Sequence, residues 1–376
     1  MAPDQRAHSL NRLYFYLTEG CNLACRHCWL SPQFDPEGDR YAVLPVELFE
    51  TAIREAKPLG LSGVKLTGGE PLLHPQFLRL LEIVRREELR LTIETNGTLC
   101  TPQVAAEIAK SPNRFVSVSI DGADAATHEW VRGVPGCFDK ARQAVRNLAA
   151  VDTRPQIIMS LMRCNADQVE AVVYMAEELG ASSVKFNIVQ PTGRGERFQD
   201  GTNGLGVAEL IELGRWVEME LAPTTKLRLF FDYPLAFRAL SRIASRNGCG
   251  ICGIFGILGV IASGHYALCG IGQQVPELVF GRVGVDPLEQ VWQGSAVLND
   301  LREGLPARLE GVCSRCLMVH RCKGSCVAQN YYRSGRLWAP FWFCEKAESL
   351  GLFPTSRLAD QGTPVLRWQE MEEEAI

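Results

Sequence analysis

The sequence lacks any segment that could cross a membrane or direct export. Its most apolar stretch, Ile251–Ala262, has about a dozen residues broken by glycines, and a bilayer needs about 20. The first residues, Met1–Leu10, include Asp4, Arg6 and His8 and contain no apolar run, so they do not form a signal peptide. We therefore expect a cytoplasmic protein with no membrane partner.

The sequence also lacks an excess of basic charge. It has 39 Lys and Arg against 43 Asp and Glu, a formal net charge of −4. Because nucleic-acid binding depends on neutralising phosphates with basic side chains, this balance argues against a nucleic-acid partner. Hydrophobic residues at 46% and charged residues at 22% argue against extensive disorder. A chain of 376 residues predicts two or three domains.

Cysteine, in contrast, is abundant. The chain has 14 cysteines, and in a reducing cytosol they are expected to act as metal ligands or catalysts rather than as disulfides. Their distribution predicts one region over 1–230, a second over 231–350 and a tail over 351–376. Three cysteines lie near the start (Cys21, Cys25, Cys28), three are isolated (Cys100, Cys137, Cys164), and eight crowd the last third (Cys249, Cys252, Cys269, Cys313, Cys316, Cys322, Cys326, Cys344).

The first region alternates short β-prone runs with amphipathic helical patterns. Six β–α units in a row predict an α/β fold with a parallel sheet and outer helices. Since a closed barrel has eight units, six predict an open or partial barrel. The strand candidates are Leu13–Leu17, Val64–Leu66, Leu91–Glu94, Phe115–Ile120, Ile157–Leu161 and Val184–Val189.

Polar, glycine-rich peptides follow these strands. One such loop alone is a turn, because turns favour Gly, Asn and Asp. All six together, at the strand ends where barrel enzymes build their sites, predict a functional site. The loops are Thr18–Cys21, Thr67–Pro71, Thr95–Thr98, Asp121–Gly122, the turn at Asn165, and Gln190 with Gly193–Gly195.

The Cys21-x3-Cys25-x2-Cys28 spacing suits a cubane iron–sulfur cluster. Three thiolates can hold three of its irons and leave the fourth open to a small molecule. The alternative is zinc, which would need a fourth ligand from His27 or elsewhere.

This cysteine motif, the Gly68-Gly69-Glu70-Pro71 loop and the partial barrel together resemble the radical S-adenosylmethionine (SAM) superfamily. His27 occupies the slot that is often aromatic in that motif. The resemblance covers about 11–225. It implies that SAM chelates the open iron and is cleaved reductively to a 5′-deoxyadenosyl radical, which removes a hydrogen atom from the substrate.

The resemblance also implies which residues contact SAM. Gly68, Gly69 and Glu70 would hold its amino group, and Arg132 would pair with its carboxylate in the bidentate manner of arginine. Asn165, Asn187 and Gln190 are either SAM contacts or polar loop caps. The remaining implied contacts are Asn96, Ser117, Ser119 and Asp121.

The last third resembles the SPASM extension of radical SAM enzymes, which implies two auxiliary four-iron clusters and three [4Fe-4S] clusters in all. A zinc knuckle over Cys313–Cys326 is the alternative. Because the apolar runs here are short, we expect the second region to depend on bound metal. The implied ligands are Cys249, Cys252, Cys269 and Cys326 for the first cluster and Cys313, Cys316, Cys322 and Cys344 for the second, with Cys249 outside the seven-cysteine signature.

The same resemblance favours a peptide or protein substrate. Gly270 follows Cys269 where sulfatase maturases carry an acidic base, so that activity is disfavoured. Too few residues precede Cys21 for a leader-binding domain, so a separate partner would bind the leader, and a flavodoxin- or ferredoxin-type protein would supply electrons. The alternatives are a dehydrogenase of a small metabolite and a zinc-stabilised scaffold. Cys100 is either a buried structural thiol or a hydrogen donor to the substrate radical.

Overall fold

The computed structural model describes residues 8–198, 202–244 and 252–359. Cys249, one of the expected cluster ligands, lies outside the described residues. Within them, no helix has both the length and the hydropathy that a bilayer-spanning segment requires.

A long series of strands defines the fold. Ten of the described strands form one sheet in the order β12-β11-β10-β1-β4-β5-β6-β7-β8-β9, and β2 pairs with β3 separately. The strands are β1 (Arg12–Tyr16), β2 (Gly20–Cys21), β3 (Gln33–Phe34), β4 (Gly63–Thr67), β5 (Arg90–Thr95), β6 (Arg114–Ser119), β7 (Gln156–Leu161), β8 (Ser183–Ile188), β9 (Arg228–Phe231), β10 (Ile257–Val260), β11 (His265–Ala267) and β12 (Val279–Arg282).

The sheet confirms the predicted α/β partial barrel. The six predicted strands are β1 and β4 to β8, each within two residues of its expected bounds, and they pair in parallel. One face of each strand carries buried Val, Ile, Leu or Phe side chains packed against the helices, whereas polar residues alternate with them on β5 and β8. This arrangement brings the polar loops that follow the strands to one end of the sheet.

Helices follow most strands and pack their apolar stripes on the sheet. Thr101 caps α3 by accepting a hydrogen bond from Val104 N, with Pro102 in the first turn where its missing N–H is not needed. The helices are α1 (Val46–Ala56), α2 (Phe77–Arg86), α3 (Pro102–Ala109), α4 (Ala125–Arg132), α5 (Cys137–Ala150), α6 (Val169–Glu178), α7 (Val207–Trp216), α8 (Leu240–Ala244), α9 (Leu288–Gly294), α10 (Ala296–Gly304), α11 (Val319–Cys322), α12 (Val327–Ser334) and α13 (Trp342–Ser349).

The sheet continues beyond residue 230. Strand β10 pairs in parallel with β1, and β11 and β12 extend the sheet in antiparallel fashion. Trp292 and Phe343 are fully buried in the same apolar core as Phe15 and Phe186. The short apolar runs of the second region therefore complete a core that they share with the barrel. The expected dependence of this region on bound metal stays a prediction. The boundaries at 230 and 350 stay predictions.

Candidate active site

Three cysteines meet at the end of the sheet. Cys21 ends β2, and Cys25 and Cys28 lie in the loop that follows it (the cysteine loop, Cys21–Pro32). Cys21 and Cys25 are 5% and 6% exposed and pack with Cys28 and Cys137. The three loop cysteines line a cavity of about 260 Å³ (the first cavity). The sequence motif thus forms one compact thiol site.

The donor set fits an iron–sulfur cluster. Burial raises the pKa of the Cys21 thiol well above its ordinary value, and the nearby Cys25 raises it further. Burial also raises the pKa of Cys25, although Arg132 opposes this. A bound metal ion would deprotonate both thiols, and cysteine thiolates are the ligands that hold iron–sulfur clusters. The buried Asn187 Oδ1 and Arg194 Nη2, both on the cavity wall, have no hydrogen-bond partner, so they suit a polar ligand.

The Gly68-Gly69-Glu70 loop is hydrogen-bonded to the residues just before the cysteine loop. Gly69 N donates to Thr18 O at 3.0 Å, and Glu70 N approaches Gly20 O at 3.3 Å. A Cβ atom on Gly69 would lie only 1.9 Å from Gly20 O, so only glycine permits this approach. The loop therefore sets the position of the residue that precedes Cys21.

The Glu70 carboxylate is buried and hydrogen-bonded to other residues of the protein. It is 1% exposed and accepts hydrogen bonds from Thr95 Oγ1 (2.6 Å), Asn96 N (2.8 Å) and Leu72 N (3.1 Å). Burial raises the pKa of Glu70 to about 7, even though these donors favour the ionised form. Its geometry shows Glu70 joining the loops after β4 and β5.

Arg132 forms a buried ion pair beside the cysteines. Its Nε lies 2.7 Å from Asp121 Oδ2, and its Nη1 lies 3.5 Å from Cys25 Sγ. Asp121 is fully buried and also accepts from Ser160 N at 2.7 Å. Burial opposes ionisation of Asp121, but Arg132 and then His27 hold the pKa of that carboxyl below its ordinary value. The pair fixes the guanidinium at the cavity wall.

Most of the implied SAM contacts meet in the first cavity. The residues that line it are Gly68, Gly69, Glu70, Asn96, Ser117, Ser119, Arg132, Asn187 and Gln190.

Three expected residues lie elsewhere. Asp121 is behind Arg132 rather than on the lining, because its carboxylate is used by the buried pair. Asn165 is fully buried, donates to Asp121 O and Ser160 O, and accepts from Met162 N, which matches the loop-cap alternative. Cys100 packs in the apolar core, and burial raises its pKa to about 12, which favours the structural alternative.

The structure adds charged residues that the sequence reasoning did not identify. Glu94 and Lys185 line the first cavity, and they form ion pairs with Lys65 (2.6 Å) and Asp232 (3.1 Å). A signal was present, because Lys185 and Asn187 alternate with buried Val184 and Phe186 on β8. Polar residues at period two in a buried strand point toward a polar interior.

The late cysteines meet in two groups. Burial raises the pKa of Cys269, and the nearby Cys326 and Cys252 raise it further. Burial likewise raises the pKa of Cys344, with added contributions from Cys313, Cys322 and Cys316, and these four line one small apolar cavity. The second group contains the four cysteines expected to hold one auxiliary cluster, and the first group contains three of the four expected for the other, but the ligand assignments stay predictions.

A second cavity joins the two regions. It measures about 280 Å³ and is lined partly by Cys252, Cys322 and Cys326. It shares Lys185, Ile188 and Gln190 with the first cavity. In the described ranges, no three His, Cys, Asp or Glu side chains converge closely enough to hold one metal ion. The assignment of the auxiliary clusters thus stays a prediction from the cysteine pattern.

The partial barrel, with three thiols lining one cavity at its loop end, defines a class of enzymes that bind an iron–sulfur cluster and SAM. The model of the radical SAM superfamily matches residues 15–189. The AdoMet-dependent heme synthase of Methanosarcina barkeri is 30% identical over 331 residues, covering 85% of this chain and 91% of that protein. The chain belongs to the radical SAM superfamily.

Two further comparisons extend beyond the barrel. The mycofactocin maturase MftC of Mycolicibacterium smegmatis is 28% identical over 322 residues, covering 85% of this chain and 79% of the maturase. The crystal structure of Streptococcus suis SuiB bound to the precursor peptide SuiA aligns with a TM-score of 0.73 at 18% identity. That alignment covers 90% of this chain and 76% of SuiB, and it shows a shared fold.

Proposed function

We propose that this radical SAM enzyme modifies a peptide or protein, and that a ribosomally made precursor peptide is its substrate. The observation that carries this proposal is the pair of joined cavities. They share Lys185, and their linings include Cys21, Cys25 and Cys28 at one end and Cys252 and Cys326 at the other, an arrangement that suits an extended substrate. The maturase relative supports the same substrate class.

In this proposal the residues of the chain position the reactants. When bound, a [4Fe-4S] cluster with SAM supplies the electron and the radical for hydrogen abstraction. Cys21, Cys25 and Cys28 would hold the cluster, and the Asp121–Arg132 pair would present a fixed cation to the SAM carboxylate. Asn187 Oδ1 has an unused acceptor on the same wall and would bind a donor of SAM or substrate.

A second candidate is a small-molecule reaction on a tetrapyrrole precursor of heme. The heme synthase of M. barkeri favours it, since the match includes 91% of that protein. Lys185 lines the second cavity beside its partner Asp232 and would contact a carboxylate of such a substrate.

The substrate test compares the two classes directly. We expect a peptide encoded beside the gene, cysteine-rich or repeat-containing, to change mass when incubated with reduced enzyme and SAM, with 5′-deoxyadenosine formed in step. Enzyme treated with chelator is the control, since it keeps the protein but lacks the cluster. Turnover of a tetrapyrrole carboxylate with no change in any neighbouring peptide would replace the first candidate with the second.

We also propose three [4Fe-4S] clusters, which corresponds to about 12 irons per chain after anaerobic reconstitution. Cys344→Ala should lower this to about 8, because Cys344 lies among three other thiols, while Cys164→Ala, at an exposed cysteine, should not. Cys249→Ala should alter the spectrum of the first auxiliary cluster. One or two zincs with almost no iron in the unmodified enzyme would contradict the cluster assignment.

The remaining partners belong to the same proposal. A flavodoxin- or ferredoxin-type donor would deliver the electron, and a separate protein would bind the leader of the precursor. A cytoplasmic location is supported by the need to keep 14 cysteines reduced.

A further inference from the structure

The turn after β8 packs tightly on the cysteine loop. Arg194 N donates to Cys28 O at 3.0 Å and to Ser31 Oγ at 2.8 Å. The two neighbouring positions must be glycine. A Cβ on Gly193 would lie 2.5 Å from Trp29 O, and one on Gly195 would lie 2.1 Å from Gln190 O. The Gly-Arg-Gly sequence therefore brings one arginine against the cysteine loop.

The Arg194 side chain donates hydrogen bonds to two separate carbonyl groups of that loop. Its Nε donates to Cys25 O at 2.8 Å, and its Nη1 donates to Pro32 O at 3.0 Å. With the backbone contact to Cys28 O, the residue is bonded to the carbonyl groups of two of the three loop cysteines. The planar guanidinium suits such a multipoint contact, because its donors are fixed relative to one another.

One donor of Arg194 remains unused. Its Nη2 is buried without a hydrogen-bond partner, and Arg194 lines the first cavity. Arg132, on the same wall, is paired with Asp121, whereas no carboxylate of the described residues forms an ion pair with Arg194. The guanidinium of Arg194 is thus a cation at the cluster site that lacks an internal anion.

We propose that Arg194 is a positioning residue for the SAM cluster. Its fork fixes the loop segment that carries Cys25 and Cys28, and its uncompensated charge stabilises the electron that the cluster accepts. Net charge and hydrogen bonds near a cluster set its reduction potential. This inference requires only membership of the radical SAM superfamily and does not depend on the identity of the substrate.

The experiment uses the full-length reconstituted enzyme and three variants. Arg194→Lys keeps the charge and loses the fork, and Arg194→Gln loses both. Arg302→Gln is the matched control: Arg302, in α10, also donates to a carbonyl, Trp292 O at 2.7 Å, and also has a buried Nη2 without a hydrogen-bond partner, but it does not line the cavity. The measurements are iron content, the potential of the reduced cluster by electron paramagnetic resonance, the Kd of SAM, and 5′-deoxyadenosine formed with dithionite alone.

We expect Arg194→Gln to shift the cluster potential to more negative values and to slow SAM cleavage by at least about tenfold, the effect of losing one charge-assisted hydrogen bond. Arg194→Lys should keep the potential near that of the unmodified enzyme but still cleave SAM more slowly. Arg302→Gln should change neither property.

Two results would overturn the inference. One is Arg194→Gln matching Arg302→Gln in potential, SAM binding and cleavage. The other is a loss of iron in both Arg194 variants with the thermal stability of the apoprotein lowered equally, which would assign Arg194 to general folding. A potential that differs between the lysine and glutamine variants is a result that a merely structural role would not give.

Discussion

Asp121→Asn is expected to lower the free energy of unfolding by about 3–5 kcal/mol, as breaking a buried ion pair typically does. The substitution preserves volume and leaves one oxygen to accept from Ser160 N, but it removes the charge opposite Arg132. Arg132 is only 7% exposed, so its guanidinium cannot be resolvated without moving the wall of the first cavity. Denaturant unfolding of the apoprotein measures this change.

A matched control is available on α5. Asp139 pairs with Arg142 at 3.4 Å, but the Asp139 side chain is 85% exposed. Asp139→Asn should therefore change stability by less than about 1 kcal/mol. The double variant Asp121→Asn/Arg132→Gln should lose less than the sum of the single losses, because the second change removes the unpaired charge. Additive losses, or an Asp121→Asn effect as small as that of Asp139→Asn, would contradict the ion-pair explanation.

The barrel half of the fold was predictable because its signals are local. Each of the six strands is a short apolar run followed by a polar loop, and parallel pairing places those loops together. The sequence motif Cys21-x3-Cys25-x2-Cys28 and the glycines Gly68 and Gly69 were recognised for the same reason: chemistry and spacing lie within one peptide.

The features of the fold and site that the sequence did not predict depend on contacts between residues far apart in the chain. The run Ile257–Val260 becomes β10 only because β1, more than 200 residues earlier, offers a parallel edge. No local pattern indicates such a partner. In the same way, Asp121 has the residue type of a ligand contact, and only its pairing with Arg132 places it behind the cavity wall. The role of Asn165 was ambiguous for this reason, because an asparagine that caps a loop and one that binds a ligand look the same in the sequence.

Gly69→Ala is expected to abolish assembly of the SAM cluster. The added Cβ would lie 1.9 Å from Gly20 O and 2.6 Å from Gly20 C, and both neighbours are backbone atoms that cannot rotate away. The segment of Gly20 must then shift, and Cys21 is the next residue. Because a displacement of about 1 Å at a reacting centre can cost 10²-fold in rate, we expect SAM cleavage to fall by at least about that factor. Iron analysis should show about 8 irons per chain instead of about 12.

The matched control separates this clash from the general cost of replacing glycine. A Cβ on Gly294, at the end of α9, would meet no heavy atom within 4 Å, and Gly294 has no left-handed backbone, so Gly294→Ala should leave iron content and cleavage unchanged. Gly68→Ala should also prevent assembly of the SAM cluster, but for a different reason. Gly68 has a left-handed backbone with φ +126°, and an added Cβ would lie 2.9 Å from Leu17 N. If Gly69→Ala kept its full iron content and cleaved SAM normally, the backbone at Gly20 would have moved without disturbing the cluster site. The contact between these two loops could then not be what positions Cys21.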